Sequence, residues 1–264
     1  MDLGQIDIPH RVWHAEAKGA VLMLHCSLAH AGAWAALADH LPERQLIAPD
    51  QAGHGRQPGW DGARSLHDQT YEDALELAPE RFDLVGHSFG ATVALRIALR
   101  HPGRVRSLTL IEPPLFVAAR QAGDARYAPH HARHRRIETL IHDGQRQAAL
   151  EAFHADWGNG ATLADLPLRT VDYMRDRIHL IAAQAPVLGE DGAGLLAPGG
   201  LEGLTMPVML MEGAMSPDIV GAIHDALAAR IPSARRVAVV GAGHMLPITH
   251  PAEVARALRP MLGL

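Results

Sequence analysis

The chain has 264 residues, which suits one large domain or one core with an inserted block, and its 48% hydrophobic content can fill a sizeable core. A formal charge of −5 and a pI near 6.4 leave no broad basic surface and argue against nucleic acid as the main partner. One cysteine, Cys26, excludes an intramolecular disulfide and points to a reducing, cytoplasmic setting, and without a run of about 18 apolar residues no membrane span or membrane partner is expected.

Met1 to Pro9 has neither a basic start nor a long apolar run, so it does not read as a signal peptide. Ala20 to Cys26 is the first short apolar run and predicts a buried strand, followed by Gln45 to Pro49. Leu66 to Leu77 then has a helical pattern. Phe82 to Gly86 predicts a third strand and Gly90 to Arg100 a helix, closed by His101-Pro102. Ser107 to Glu112, Val208 to Glu212 and Arg235 to Val240 continue the strands, with helices at Asp218 to Arg230 and Pro251 to Leu262. Apolar runs buried on both faces and alternating with helices predict an α/β fold, a doubly wound and mostly parallel sheet.

The rhythm breaks between residues 115 and 200. Arg133 to His142, Gln145 to Trp157 and Leu168 to Ala185 are helical patterns with no strand among them, and Gly189 to Gly203 reads as a return linker. The expected organisation is a core of 1–114 and 201–264 with a helical cap at 115–200. The apolar residues of that block, among them Leu140, Ile141, Phe153, Trp157, Met174 and Ile178, are expected more often in its core than against a ligand. Of the 18 histidines, His130, His131 and His134 read as a surface cluster, since no carboxylate or cysteine stands nearby at ligand spacing. No metal is expected.

Gly86-His87-Ser88-Phe89-Gly90 matches G-x-S-x-G in its required setting, with a strand before it and a helix after it. A serine on so tight a turn needs small neighbours, and the helix end favours developing negative charge at its hydroxyl. A serine is a poor nucleophile until a base takes its proton. Gly241-Ala242-Gly243-His244 supplies one after the last strand, where two glycines let the loop bend back.

The group that orients such a histidine usually follows the strand before the last one. There the chain has Ser216, with Asp218 two residues on, opening a helix. Glu112 ends the strand Ser107 to Ile111, at the carboxyl edge where α/β sheets place their sites, and it is favoured over Asp218. Two backbone N–H groups are needed for an oxyanion. Phe89, after the serine, gives one; Ser27, after the first strand, gives the other, with Leu28 second. Cys26 lacks an activating partner and reads as a small buried residue.

Together these residues resemble the α/β-hydrolase superfamily over nearly the whole core. His25-Cys26-Ser27 is similar to the family's His-Gly, Ala48-Pro49-Asp50-Gln51-Ala52-Gly53-His54-Gly55-Arg56 to its turn after the fourth strand, and the segments at Ser88 and His244 to its elbow and final loop. The resemblance implies that Asp50 and His54 are structural. Cys26 departs from the expected glycine and Ser216 from the expected acid; some members carry the acid after the sixth strand, which fits Glu112. The implied function is hydrolysis of an ester-like bond in a small or medium apolar substrate through an acyl-enzyme on Ser88, without a cofactor. Alternatives on the same residues are a C–C hydrolase, lactonase, perhydrolase or cofactor-free oxygenase, and outside enzymes a ligand receptor. A serine in place of a nucleophilic aspartate disfavours haloalkane dehalogenases and epoxide hydrolases.

Overall fold

In the computed structural model the described residues are 8–264, apart from 159 and 161. Most of the stretch Met1 to Pro9 therefore lies outside them. One sheet organises the chain. Its strands are β1 (His10–Trp13), β2 (Ala20–Leu24), β3 (Gln45–Pro49), β4 (Phe82–His87), β5 (Val105–Ile111), β6 (Val208–Gly213) and β7 (Ala234–Val239). They lie in the order β1-β3-β2-β4-β5-β6-β7. β1 runs antiparallel to β3 and every other pair is parallel.

The apolar runs account for this. β2 and β4 are buried at every residue, as expected of parallel strands covered on both faces. One face packs Leu22, Leu24, Leu84 and Leu110 against the helix Phe89–Arg100 and its neighbours. The other packs Val21, Met23, Val85 and Met211 under Trp34 and the C-terminal helix Pro251–Met261. β7 differs from expectation. It is the sheet's edge, only partly buried along its length, and Val240 just beyond it is 86% exposed. Its arginines Arg235 and Arg236 are compatible with an edge that has water on one side.

The turn from β4 into the next helix depends on two close approaches. A Cβ on Gly90 would stand 2.3 Å from the Leu24 carbonyl oxygen and 2.5 Å from that of His25. One on Gly86 would meet the Ala91 Cα at 2.5 Å. We expect Gly90→Ala to lower unfolding stability by about 1–3 kcal/mol, because backbone and not a flexible side chain must yield. A urea titration measures this, and an unchanged midpoint would contradict the close approach.

Between β5 and β6 the described chain is helical: Phe116–Gln121, Tyr127–His142, Arg146–Trp157, Leu168–Arg177, His179–Ala183 and Ala185–Leu188. Sequence periodicity missed the first and merged the last three into Leu168 to Ala185. This block has its own hydrophobic cluster around Ile137, Ala149, Leu150, Ile178 and Ile181.

The reading of His130, His131 and His134 as a surface cluster is overturned. His130 and His134 are 2% and 7% exposed, and only His131 faces solvent. His130 and His134 pack on Phe116, with ring centroids 4.5 Å and 5.1 Å away. Burial pushes the pKa of His130 down to about 3 and that of His134 to about 4, so both are neutral rings in an aromatic cluster.

Candidate active site

The parallel register carries the candidate residues to one edge. Gly86 pairs with Leu110 and His87 with Ile111, so Ser88 and Glu112 leave adjacent strands side by side. The Ser88 N–H donates to the Ile111 carbonyl at 2.8 Å, and the Glu112 N–H to the Met211 carbonyl at 3.0 Å. Both residues have left-handed backbone, with φ of 53° at Ser88 and 47° at Glu112. For residues with a Cβ such angles are strained by about 1–3 kcal/mol and concentrate at functional sites. Ser88 caps the helix Phe89–Arg100 and lines a cavity while staying largely buried.

His244 lies in the loop beyond β7, buried, and lines the same cavity as Ser88. Its Nδ1 hydrogen-bonds Glu112 Oε2 at 2.6 Å. Because an ionised carboxylate can only accept, that bond puts the proton on Nδ1 and leaves Nε2 as the basic nitrogen. The other carboxylate oxygen, Oε1, accepts from the Gly213 N–H at 2.6 Å and the Ser216 hydroxyl at 2.5 Å. Thus Glu112, and not Asp218, meets the histidine. Asp218 is exposed in the first turn of the helix Asp218–Ala228, where a carboxylate suits the helix dipole. Ser216, standing where an acid was expected, instead donates its hydroxyl to Glu112.

Two further residues support the imidazole, and sequence reasoning did not find them. His87, the variable residue before the serine, donates from Nε2 to the His244 carbonyl at 2.8 Å. Burial and the neighbouring His244 hold its pKa well below the ordinary histidine value. Trp157, from the inserted block, packs its ring 4.6 Å from that of His244. The motif position of His87 carries no residue preference to signal this, and Trp157 read as a core residue.

Ser27 and Leu28 line the cavity beside Ser88. Phe89 starts its helix, so its N–H precedes the first intrahelical bond and is available to a ligand oxygen. Cys26 also borders the cavity but is deeply buried, and burial pushes its thiol up to about 12, which removes the thiolate that chemistry would need. Asp50 accepts from the Ala31 N–H at 2.8 Å and from Arg56 Nε at 3.0 Å, and His54 Nδ1 bonds the Ala52 carbonyl at 2.9 Å. Both hold loops, as the resemblance implied.

The cavity has a volume of about 780 Å³. Phe153, Trp157 and Met174 line it from the inserted block, whereas Leu140, Ile141 and Ile178 pack within that block. Among the described residues no carboxylate lines it, and Arg169 is one of its polar residues. Among the described residues no group of three His, Cys, Asp or Glu could hold a metal ion, and no helix is long and apolar enough to cross a membrane.

Comparison with known proteins agrees with this architecture. A family model described as "Alpha/beta hydrolase family" matches residues 21–257. Lipase LipV of Mycobacterium tuberculosis is 26% identical over 277 aligned residues, covering 98% of each chain. A pimeloyl-[acyl-carrier protein] methyl ester esterase of Aromatoleum aromaticum is 31% identical over 84% of this chain and 89% of that one. The crystallised esterase EaEST of Exiguobacterium antarcticum superposes with a TM-score of 0.76 over 97% of this chain and 96% of its own, at 18% identity, a likeness of fold alone.

Proposed function

The chain belongs to the alpha/beta hydrolase family, and on that premise we propose that it is a serine hydrolase that cleaves an ester-like bond of a small or medium apolar substrate. The observation that carries this reading is the Glu112–His244 hydrogen bond together with a strained Ser88, both His244 and Ser88 lining one mainly apolar cavity. His244 Nε2 takes the Ser88 proton as Oγ bonds to the carbonyl carbon. The carbonyl electron pair moves onto oxygen, which accepts from the N–H groups of Ser27 and Phe89. The intermediate collapses, the alkoxide leaves with the proton from His244, and an acyl-Ser88 ester remains. Water then gives a proton to His244 and attacks that ester. Ser88 leaves with the same proton, and the free acid departs. Glu112 stabilises the imidazolium in both halves without taking its proton.

The inserted helices at 115–200 act here as the cap that shapes the acyl pocket. Several named relatives are a lipase or esterases, which supports an ester substrate. A small molecule is the only partner this chemistry needs, and the single buried Cys26 suits a reducing cytoplasm.

An alkyl fluorophosphonate tests the reading. We expect one phosphonyl group on the peptide holding Ser88, none in Ser88→Ala, and turnover of p-nitrophenyl butyrate that the label abolishes. Folded wild-type protein that neither takes the label nor releases p-nitrophenol would overturn it.

A further inference from the structure

The loop proposed to supply the Ser27 N–H is held at three consecutive residues by the inserted helices. The Ser27 hydroxyl donates to Gln184 Oε1 at 3.0 Å and accepts from Gln184 Nε2 at 2.8 Å. The Leu28 side chain is buried in a cluster whose every other member, from Ile137 to Ile181, belongs to the inserted block. The Tyr173 hydroxyl donates to the Ala29 carbonyl at 2.8 Å and itself accepts from the Gly55 N–H at 2.7 Å.

The backbone makes this grip necessary. Leu28 has φ of 60°, a left-handed angle that a branched side chain adopts only when its surroundings enforce it. The burial of its side chain among the inserted helices supplies the enforcement. Gln184 is itself buried, between the helices His179–Ala183 and Ala185–Leu188, and its amide has no freedom to turn away without leaving the Ser27 hydroxyl unpaired.

We infer that Gln184 and Tyr173 are positioning residues for the oxyanion hole, so that the hole is complete only when the inserted block sits down on the core. This rests on the serine-hydrolase reading and adds a coupling to it. A substrate that fills the cavity and holds the block in place also sets the Ser27 N–H. Movement of the block away from the core withdraws that N–H together with the lid of the pocket. The pocket and the stabilisation of negative charge are thereby one unit, although Gln184 lies 157 residues from Ser27 in sequence.

The test compares wild type with Gln184→Ala, Tyr173→Phe, Ser27→Ala and the double variant Ser27→Ala/Gln184→Ala, on p-nitrophenyl butyrate. Leu28→Ala is avoided because its cavity threatens folding. We expect Gln184→Ala to lower kcat by about 10- to 100-fold with KM changed less than about threefold, since a hydrogen-bond donor displaced by even 1 Å loses most of its effect. Inhibition by an alkyl trifluoromethyl ketone, whose serine adduct carries the oxyanion, is expected to weaken by the same factor. In the Ser27→Ala background Gln184→Ala adds nothing. A rise in KM alone with unchanged kcat and ketone affinity, or losses that multiply in the double variant, would overturn the coupling. If wild type fails both turnover and fluorophosphonate labelling, the hydrolase reading falls and this inference with it. If wild type passes and Gln184→Ala keeps its kcat, the coupling alone falls.

Discussion

Glu112→Gln is expected to lower kcat/KM for p-nitrophenyl butyrate by about 10⁴-fold, while Asp218→Asn stays within about twofold of wild type. The reason lies in which donors face each oxygen. Oε1 of Glu112 meets two donors, the Gly213 N–H and the Ser216 hydroxyl, so a glutamine places its own oxygen there. Its amide nitrogen then faces His244 Nδ1, where the carboxylate oxygen Oε2 now stands. An amide NH₂ only donates, so Nδ1 must become the acceptor and the ring proton moves to Nε2. The imidazole keeps its place but loses the lone pair that would take the Ser88 proton. A loss of 10⁴ corresponds to about 5.5 kcal/mol of barrier. Steady-state kinetics on the two variants, with thermal unfolding to confirm that both are folded, decides the matter. Near-full activity in Glu112→Gln would remove Glu112 from the mechanism.

Acid should unfold this protein well before its carboxylates titrate. Burial is the leading cause that holds eight histidines below the ordinary value of 6.5, and in six it acts strongly: His25, His67 and His134 at about 4, His54 and His130 at about 3, and His87 well below. A histidine with a lowered folded pKa is neutral in the native state, whereas the unfolded chain takes up its proton as pH falls through 6.5. The native state binds fewer protons in the window from 6.5 down to 3–4, so stability is lost as pH falls through it. Each group costs about 1 kcal/mol per pH unit below 6.5, and six together cost on the order of 5 kcal/mol at pH 5.5. That rivals the whole stability of many domains. Urea midpoints at pH 7.5, 6.5 and 5.5 should fall modestly across the first step, where the unfolded histidines become half protonated, and steeply across the second. His134→Leu should flatten the second step by one histidine's share. Equal midpoints at pH 7.5 and 5.5 would show that these rings are not held neutral.

The core was legible because each parallel strand is covered on both faces and reads as an unbroken apolar run. β1 was not: His-Arg-Val-Trp is four residues at an antiparallel edge, with no run for periodicity to detect. The elbow and the final loop were legible because tight backbone demands glycine and leaves a motif. Glu112 could be placed by its strand end, yet the contact that distinguishes it from Asp218 joins residues 132 apart in sequence and leaves no local mark. The same holds for Gln184 on Ser27 and for His87 on the His244 carbonyl. The histidines of the Tyr127–His142 helix misled because their polarity suggests water, whereas a neutral imidazole packs well on an aromatic ring.

Ser216 also bears on how such a site could change over evolutionary time. Its hydroxyl proton is committed to Glu112 Oε1 at 2.5 Å. An aspartate there would press a second carboxylate against the first, and two acids so close keep only one charge between them at neutral pH. A form carrying acids at both 112 and 216 would therefore be costly. A neutral donor at 216 is compatible with a charged Glu112, and an aspartate there would require Glu112 to be replaced first or in the same step.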